Sequence, residues 1–332
     1  MQKLLMVYNP HAGKSTIKSN LSDILDVFTK GGYETTVYPT QCQGDGYTKI
    51  SADAMKYDLI VASGGDGTLS EAIKAMMVQP KKIPLGYIPA GSTNDVAASL
   101  NISLNPVICA RSIVNGVYFD YDVGSFNGEN FVYVAGFGAF TDVSYETKQS
   151  TKNILGHAAY IYEALKRITK IRGYNITIEH DNEIIKGNFL LGLISNSVSI
   201  GGIKNFLIDG VCFDDGLFEV RLVKTPKNPI EFSSLLTAAS LNKLTDKSFV
   251  SFKTSKLTIT SEEGIAWTLD GESGGVHTFV DIENIKQAVR FKIGINDFTV
   301  EQQIVREAAL PDDVIKTSDG SFVLEDQSDI EN

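Results

Sequence analysis

Four short apolar runs open this chain, at 3–8, 34–38, 58–63 and 84–89, with stretches of helical character between them, and this alternation constrains the fold more than any other feature. Between the first two runs, Leu21, Ile24, Leu25 and Phe28 recur at helical spacing, and Gly31-Gly32 then stops the helix. Strand, helix and strand at this spacing predict a parallel sheet with crossover helices. Ligands of such sheets bind beyond the carboxyl ends of the strands, so function is expected in the loops behind these runs. The first run is cut by Asn9-Pro10 and has no small-residue cleavage site after it, so it reads as a first strand and not as a secretion signal.

From about residue 118 the periodicity changes. Runs at 131–134, 175–179, 184–195, 217–223, 249–260 and 279–282 read as strands joined by hairpin turns, which predicts a mainly antiparallel β-sandwich. One long helix is expected around 154–172. A length of 332 residues suffices for two cores. The expected fold class is therefore α/β plus β: a parallel-sheet domain over 1–122, a sandwich domain over 123–295 and a C-terminal segment, 296–332. The acidic end, from about Ala309, has too few apolar residues to order itself.

Composition then narrows the function. A formal net charge of −10 argues against nucleic acid as a partner, and any attraction to an anionic membrane would need a local basic patch. Cys42, Cys109 and Cys212 are far apart, odd in number and free of C-x-x-C spacing, which fits reduced thiols and neither zinc nor a disulfide framework. His11, His157, His180 and His277 show no metal-like spacing. No apolar run approaches the roughly 18 residues needed to span a bilayer, so a cytoplasmic protein is expected.

The run at 58–63 leads into Gly64-Gly65-Asp66-Gly67-Thr68, and Ile73, Met76 and Met77 mark a helix behind it. Thr68 and Glu71 match a T-x-x-E capping box that would start this helix. Glycines let backbone N–H groups come close to an anion, and a helix N-terminus adds the positive end of its dipole. An acid such as Asp66 among these amides makes sense if it holds Mg2+; a glycine-rich turn with a capping acid is the plainer alternative. The run at 84–89 leads into Ala90-Gly91-Ser92-Thr93-Asn94-Asp95 and a helical stretch from Val96. Alone this could be ordinary N-capping; beside the first loop it becomes a second wall of one phosphate site. The loop Asn9-Pro10-His11-Ala12-Gly13-Lys14-Ser15 ends like a Walker sequence, but Tyr8 stands where that pattern needs its first glycine. The P-loop reading fails, although the loop's amides still lie at the carboxyl edge of the sheet.

In this order, N-P-x-x-G, G-G-D-G-T and G-[ST]-x-N-D resemble the signatures of the diacylglycerol kinase catalytic-domain family. Residues 143–147, 156–160, 214–217 and 269–272 are similar to its bacterial soluble members, and the likeness spans about 3–295. The resemblance implies an ATP-binding domain followed by a sandwich that carries the lipid side and the catalytic base, with the active site in the cleft between them. It also implies transfer of the γ-phosphate of ATP to a lipid hydroxyl, by default converting diacylglycerol to phosphatidic acid. Asn9, Pro10, His11, Ala12, Gly13, Thr40, Gly65, Asp66, Gly67, Thr68, Leu69, Ser70, Glu71 and Ser92 would line the ATP site, with Ser92 in place of the family's usual threonine. Asp66, Asp95 and Asp122 would hold the catalytic Mg2+, partly through water.

Glu272 would be the general base, because an alcohol is a poor nucleophile until a carboxylate accepts its proton. Asp270 would share its strand face and orient the site. On spacing alone, Asp270-Gly271-Glu272 is an ordinary hairpin turn. A second, structural Mg2+ is implied at the side chain of Asp215 and the backbone carbonyls of Cys212 and Leu217, although 205–212 lacks the proline common there. Where that likeness is set aside, the Asp214-Asp215-Gly216 stretch is a simple turn.

Two other functions compete. A kinase of a soluble substrate such as NAD carries a similar G-G-D-G-T loop, but 91–95 and 270–272 speak against it. A catalytically silent lipid- or nucleotide-binding regulator would be favoured if Asp66, Asp95 or Glu272 were missing, and all are present. A lipid substrate implies peripheral contact with a membrane. The helix expected at 154–172 is the candidate surface: Ile154, Ala158, Ile161, Leu165 and Ile168 make an apolar stripe, rimmed by Lys152, Lys166, Arg167, Lys170 and Arg172. The stripe could equally pack on the sandwich. A homodimer is common in such enzymes.

Overall fold

The computed structural model describes residues 1–13, 16–138, 173–204, 210–240, 247–294, 314–316 and 322–324. The helix expected at 154–172 with its basic rim, the motifs at 143–147 and 156–160, Lys14 and Ser15 lie outside the described residues. The chain forms two compact units, Met1–Asp120 with Val289–Asn332, and Tyr121–Ala288. Residues 289–295, grouped with the sandwich on sequence, thus belong to the first unit. The reason is local: Phe291 pairs with Leu85, and Arg290 grips the Asp120 carboxylate in a two-pronged ion pair at 2.8 and 2.9 Å.

In the first unit, β1 (Gln2–Tyr8), α1 (Thr16–Lys30), β2 (Tyr33–Pro39), α2 (Asp45–Asp53), β3 (Leu59–Gly64), α3 (Asp66–Met77), β4 (Leu85–Pro89), α4 (Asp95–Ser99) and α5 (Pro106–Val114) follow in order. The strands pair in parallel in the order β4-β3-β1-β2. Leu4 to Val7 and Leu59 to Ala62 are buried without alternation, as strands covered on both faces require. Helix α1 ends as its glycines direct: Gly31 N–H donates to Val27 O, and Gly32, at φ 84°, donates to Thr29 O. Because β3 lies on the opposite side of β1 from β2, the order reverses between β1 and β3, and the loops after these two strands flank that switch point.

The second unit is sheet-rich. It contains most of β5 (Val117–Phe126), then β6 (Glu129–Phe131), β7 (Val134–Gly138), β8 (Tyr174–His180), β9 (Glu183–Ser195), the short pair β10 (Ser199–Ile200) and β11 (Ile203–Lys204), β12 (Phe218–Lys224), α6 (Pro229–Ser240), β13 (Phe249–Thr254), β14 (Lys256–Leu269) and most of β15 (Glu272–Ile293). Its strand pairs are antiparallel, and a buried cluster with Phe126, Phe137, Ile194, Val220, Trp267 and Ile282 fills the interior. Trp267 anchors the cluster, with ring centroids 5.0 Å from Phe126 and 4.9 Å from Phe137.

Two expected strands are broken. The run at 249–260 divides at Ser255, where Thr254 Oγ1 donates to Lys256 O; β13 pairs with β12, while β14 pairs with β15, β7 and β8. The run at 131–134 is interrupted at Val132-Tyr133, for a reason found in the site below. The expected strand at 279–282 is only the middle of β15. Strands β7 and β8 pair with adjacent stretches of β9, with Gly138 opposite Leu191 and Tyr174 opposite Phe189.

Candidate active site

Three loops of the first unit converge on glycine contacts. Gly13 sits at φ 51°, and a Cβ there would collide with the Ala90 carbonyl oxygen. A Cβ on Gly91 would lie 2.5 Å from the Gly65 Cα and 2.8 Å from Asn94 Oδ1. The loops after β1, β3 and β4 therefore approach too closely for any other residue. Gly67 is different: its φ is ordinary, and nothing lies within 4 Å of where its Cβ would be. The protein's own packing gives no reason for glycine at 67, and the space beside it is open.

Helix α3 starts earlier than its sequence signature predicts. Gly65 is its N-cap and Asp66 its first residue, with no side-chain cap. Thr68 is thus already inside the helix, packed against Gly64, and the expected capping box does not form. Glu71 is drawn elsewhere: its Oε1 accepts the Gly44 N–H at 2.7 Å. That bond ties α3 to the loop after β2, which also holds the buried Thr40, whose N–H donates to Tyr8 O. Of the residues expected to line a nucleotide, His11, Gly13, Gly67 and Ser92 are exposed, and Asn9, Pro10, Gly65, Asp66, Thr68 and Glu71 partly so; Ala12 and Ser70 are nearly covered. Leu69 is wholly buried, and its N–H donates to Gly65 O, so it faces the core and not the site.

Asp66 and Asp95 come together here. Burial, and next the Asp95 carboxylate, push Asp66 up to about 6, against the pull of the backbone N–H groups of Val96, Asn94 and Asp95. Asp66 Oδ1 is buried with no hydrogen-bond partner. An orphaned carboxylate oxygen beside a second carboxylate suits a hard cation or a cation-bound water. Asp95 is the first residue of α4, one before the expected start at Val96, and Asn94 caps that helix at φ 55°. Asn94 closes the loop on itself: Oδ1 accepts the Gly91 N–H and Nδ2 donates to Gly91 O, both at 2.9 Å.

Asp122 belongs to the second unit, and its partners lie there. Its Oδ2 accepts the Gly216 N–H and its Oδ1 the Gln287 N–H, each at 2.6 Å. Burial leads in pushing it up to about 6, and the Asp215 and Asp214 carboxylates add to the rise. Asp215 Oδ1 accepts the Leu217 N–H at 2.9 Å, closing the turn in which Gly216 sits at φ 83°. Burial and Asp215 raise the Cys212 thiol. Crowded carboxylates in an oxygen-rich turn fit Mg2+. Among the described residues, no group of three or more His, Cys, Asp or Glu side chains could hold an ion, so carbonyls and waters would have to complete either site.

Asp270 does not share a strand face with Glu272. Asp270 and Gly271, at φ 51° and 86°, are the two central residues of a tight turn between β14 and β15, the geometry that favours Asp-Gly. The Asp270 carboxylate accepts three backbone N–H groups, from Val132 at 2.7 Å, Tyr133 at 2.9 Å and Val134 at 3.2 Å. Taking those donors interrupts the strand expected at 131–134. Asp270 is a knot that fixes the turn, and exposed Glu272 is the first residue beyond it.

Sequence reasoning passed over Tyr87, which lies fully buried beside this site. Its hydroxyl donates to Gly64 O at 3.1 Å and lies 3.5 Å from Asn94 Oδ1. Burial, and then Asp66, hold that hydroxyl well above its ordinary pKa, so it stays a donor. The available signal was one polar group in an otherwise apolar strand.

Residues 3–126 match the family described as diacylglycerol kinase catalytic domain. A diacylglycerol kinase of Bacillus subtilis is 31% identical over 279 residues, covering 83% of this chain and 91% of its own length. One from Staphylococcus saprophyticus is 33% identical over 272 residues, covering 81% and 88%. A crystal structure from Bacillus anthracis superposes with a TM-score of 0.76 at 25% identity, covering 88% of this chain and 95% of that one.

Proposed function

The chain belongs to the diacylglycerol kinase family, and on that premise we propose that it transfers the γ-phosphate of ATP to a lipid hydroxyl, with diacylglycerol as the acceptor and phosphatidic acid as the product. Members of this family are kinases with an alcohol acceptor and a nucleotide phosphate donor. The observation that carries the reading is the pairing of open Gly67 with the orphaned Asp66 oxygen at the start of α3. A triphosphate with its cation would account for both.

In this reading the loops at Asn9–Gly13, Gly65–Thr68 and Gly91–Ser92 surround the phosphates, and the positive end of the α3 dipole attracts their charge. Asp66 and Asp95 hold Mg2+, with Asp122 added by the resemblance alone. The ion, when bound, neutralises charge on the phosphates as the γ-phosphoryl group departs. Glu272 accepts the proton of the attacking hydroxyl, and Asp270 keeps the Glu272 turn in place. Asp215 with the carbonyls of Cys212 and Leu217 holds a second, structural Mg2+. The enzyme meets its lipid peripherally at the membrane surface; among the described residues no helix is long and apolar enough to cross one.

The test is transfer of label from γ-labelled ATP, with Mg2+, to a panel of diacylglycerol, phosphatidylglycerol, a sphingoid base, a polyprenol and NAD. Label in diacylglycerol supports the full reading. Label in another lipid corrects the acceptor, and label in NAD alone refutes lipid phosphorylation.

A further inference from the structure

Tyr87 carries a hydroxyl that its surroundings do not need for packing. Its side chain is 1% exposed in β4, and phenylalanine has the same ring and lacks only the hydroxyl. The Gly64 carbonyl is already satisfied, because Ala90 N–H donates to it at 2.8 Å. The Tyr87 hydroxyl is a second donor to the same oxygen. A buried hydroxyl added where neither packing nor hydrogen-bond satisfaction asks for one points to geometry.

That geometry is the join between two loops. Gly64 O belongs to the residue just before Gly65-Asp66, and Asn94 Oδ1, 3.5 Å from the same hydroxyl, belongs to the residue just before Asp95. Gly65 and Gly91 touch where the loops cross. The Asp66 carboxylate joins the two segments through the backbone N–H groups of Val96, Asn94 and Asp95, and Tyr87 adds a second, uncharged side-chain bridge between them at Gly64 O and Asn94 Oδ1. We propose that Tyr87 is a positioning residue for phosphoryl transfer: its hydroxyl fixes the separation of the Gly65-Asp66 and Asn94-Asp95 segments, and so the mutual placement of the two carboxylates. It touches no reacting atom and acts through Gly64 and Asn94.

The inference rests on the kinase reading and is tested so that the two can fail separately. Tyr87→Phe is compared with the parent and with a protein carrying 4-aminophenylalanine at 87, which keeps a para donor. The probe is Mn2+ in the presence of ATP, read by its paramagnetic resonance signal, alongside steady-state kinetics. Removing one neutral hydrogen bond should weaken Mn2+ binding and lower kcat by about 3- to 10-fold. KM for the lipid should not move, and the amino analogue should restore most of the loss. The metal-free Phe variant should melt within about 2 °C of the parent, since Gly64 O keeps its Ala90 donor. If the parent binds no Mn2+ with ATP, the kinase reading falls and takes this inference with it. If the parent binds and the Phe variant binds equally well, the positioning role alone is overturned. A Phe variant that fails to fold, or melts far lower, also overturns it, because the hydroxyl would then serve the fold.

Discussion

Replacing Asp66 with asparagine should make the metal-free protein more stable while abolishing its proposed phosphoryl transfer. A carboxyl that titrates at about 6 in place of its ordinary 3.8 costs about 3 kcal/mol to ionise in the folded chain relative to the unfolded one. The sign follows from the raised value: the stabilising contribution of the protonated form is complete below about pH 4 and is lost as the pH climbs through 6. Asparagine cannot ionise, so at pH 7.5 it escapes that cost. The expected gain is about 3 kcal/mol at pH 7.5 and about 1 kcal/mol at pH 4.5, where the folded parent is protonated but the unfolded chain is already mostly ionised. Urea unfolding in EDTA at both pH values, followed by circular dichroism, measures this. Added Mg2+ and ATP should reverse the order, stabilising the parent and not the variant. A variant less stable than the parent at pH 7.5 without metal, or a gain equal at both pH values, would refute the account of Asp66 as a strained, cation-seeking carboxylate.

Three further outcomes are expected. Glu272→Gln should lower kcat by about 10²-fold or more while leaving ATP binding intact, and a near-parental rate at saturating lipid removes Glu272 as the base. Gly67→Ala should leave the melting temperature within about 2 °C, as nothing crowds the new Cβ, yet raise KM for ATP several-fold; an unchanged KM means this loop does not hold phosphate. Mg2+ should raise the melting temperature of the parent more than that of Asp215→Ala, and equal shifts would mean that no ion sits in the Asp215 turn.

Sequence alone located most strands and the ordered glycine loops, because apolar runs and turn residues report on a few neighbours at a time. The runs at 3–8, 34–38, 58–63 and 84–89 became β1 to β4 with ends shifted by only a residue or so. The motifs at 9–13, 64–68 and 91–95 were legible for the same reason, each being short and contiguous. A helix start was already less secure: Thr68 and Glu71 have the right spacing for a capping box, but Gly65 caps α3 and Glu71 binds Gly44.

What tertiary structure decided lies in contacts between distant residues. Asp270 reaches back 138 residues to the Val132 N–H, which makes it a knot in a turn and breaks a strand that local pattern predicts to be continuous. Asp122 draws on Gly216 and Gln287, so its surroundings are set by the Asp214-Asp215 turn. The Tyr87 hydroxyl finds Gly64 only because β3 and β4 are paired. A propensity or a spacing describes what a residue can do; which donor meets which acceptor is set only when the core has packed and every buried polar group must find a partner from whatever part of the chain has been brought within about 3 Å.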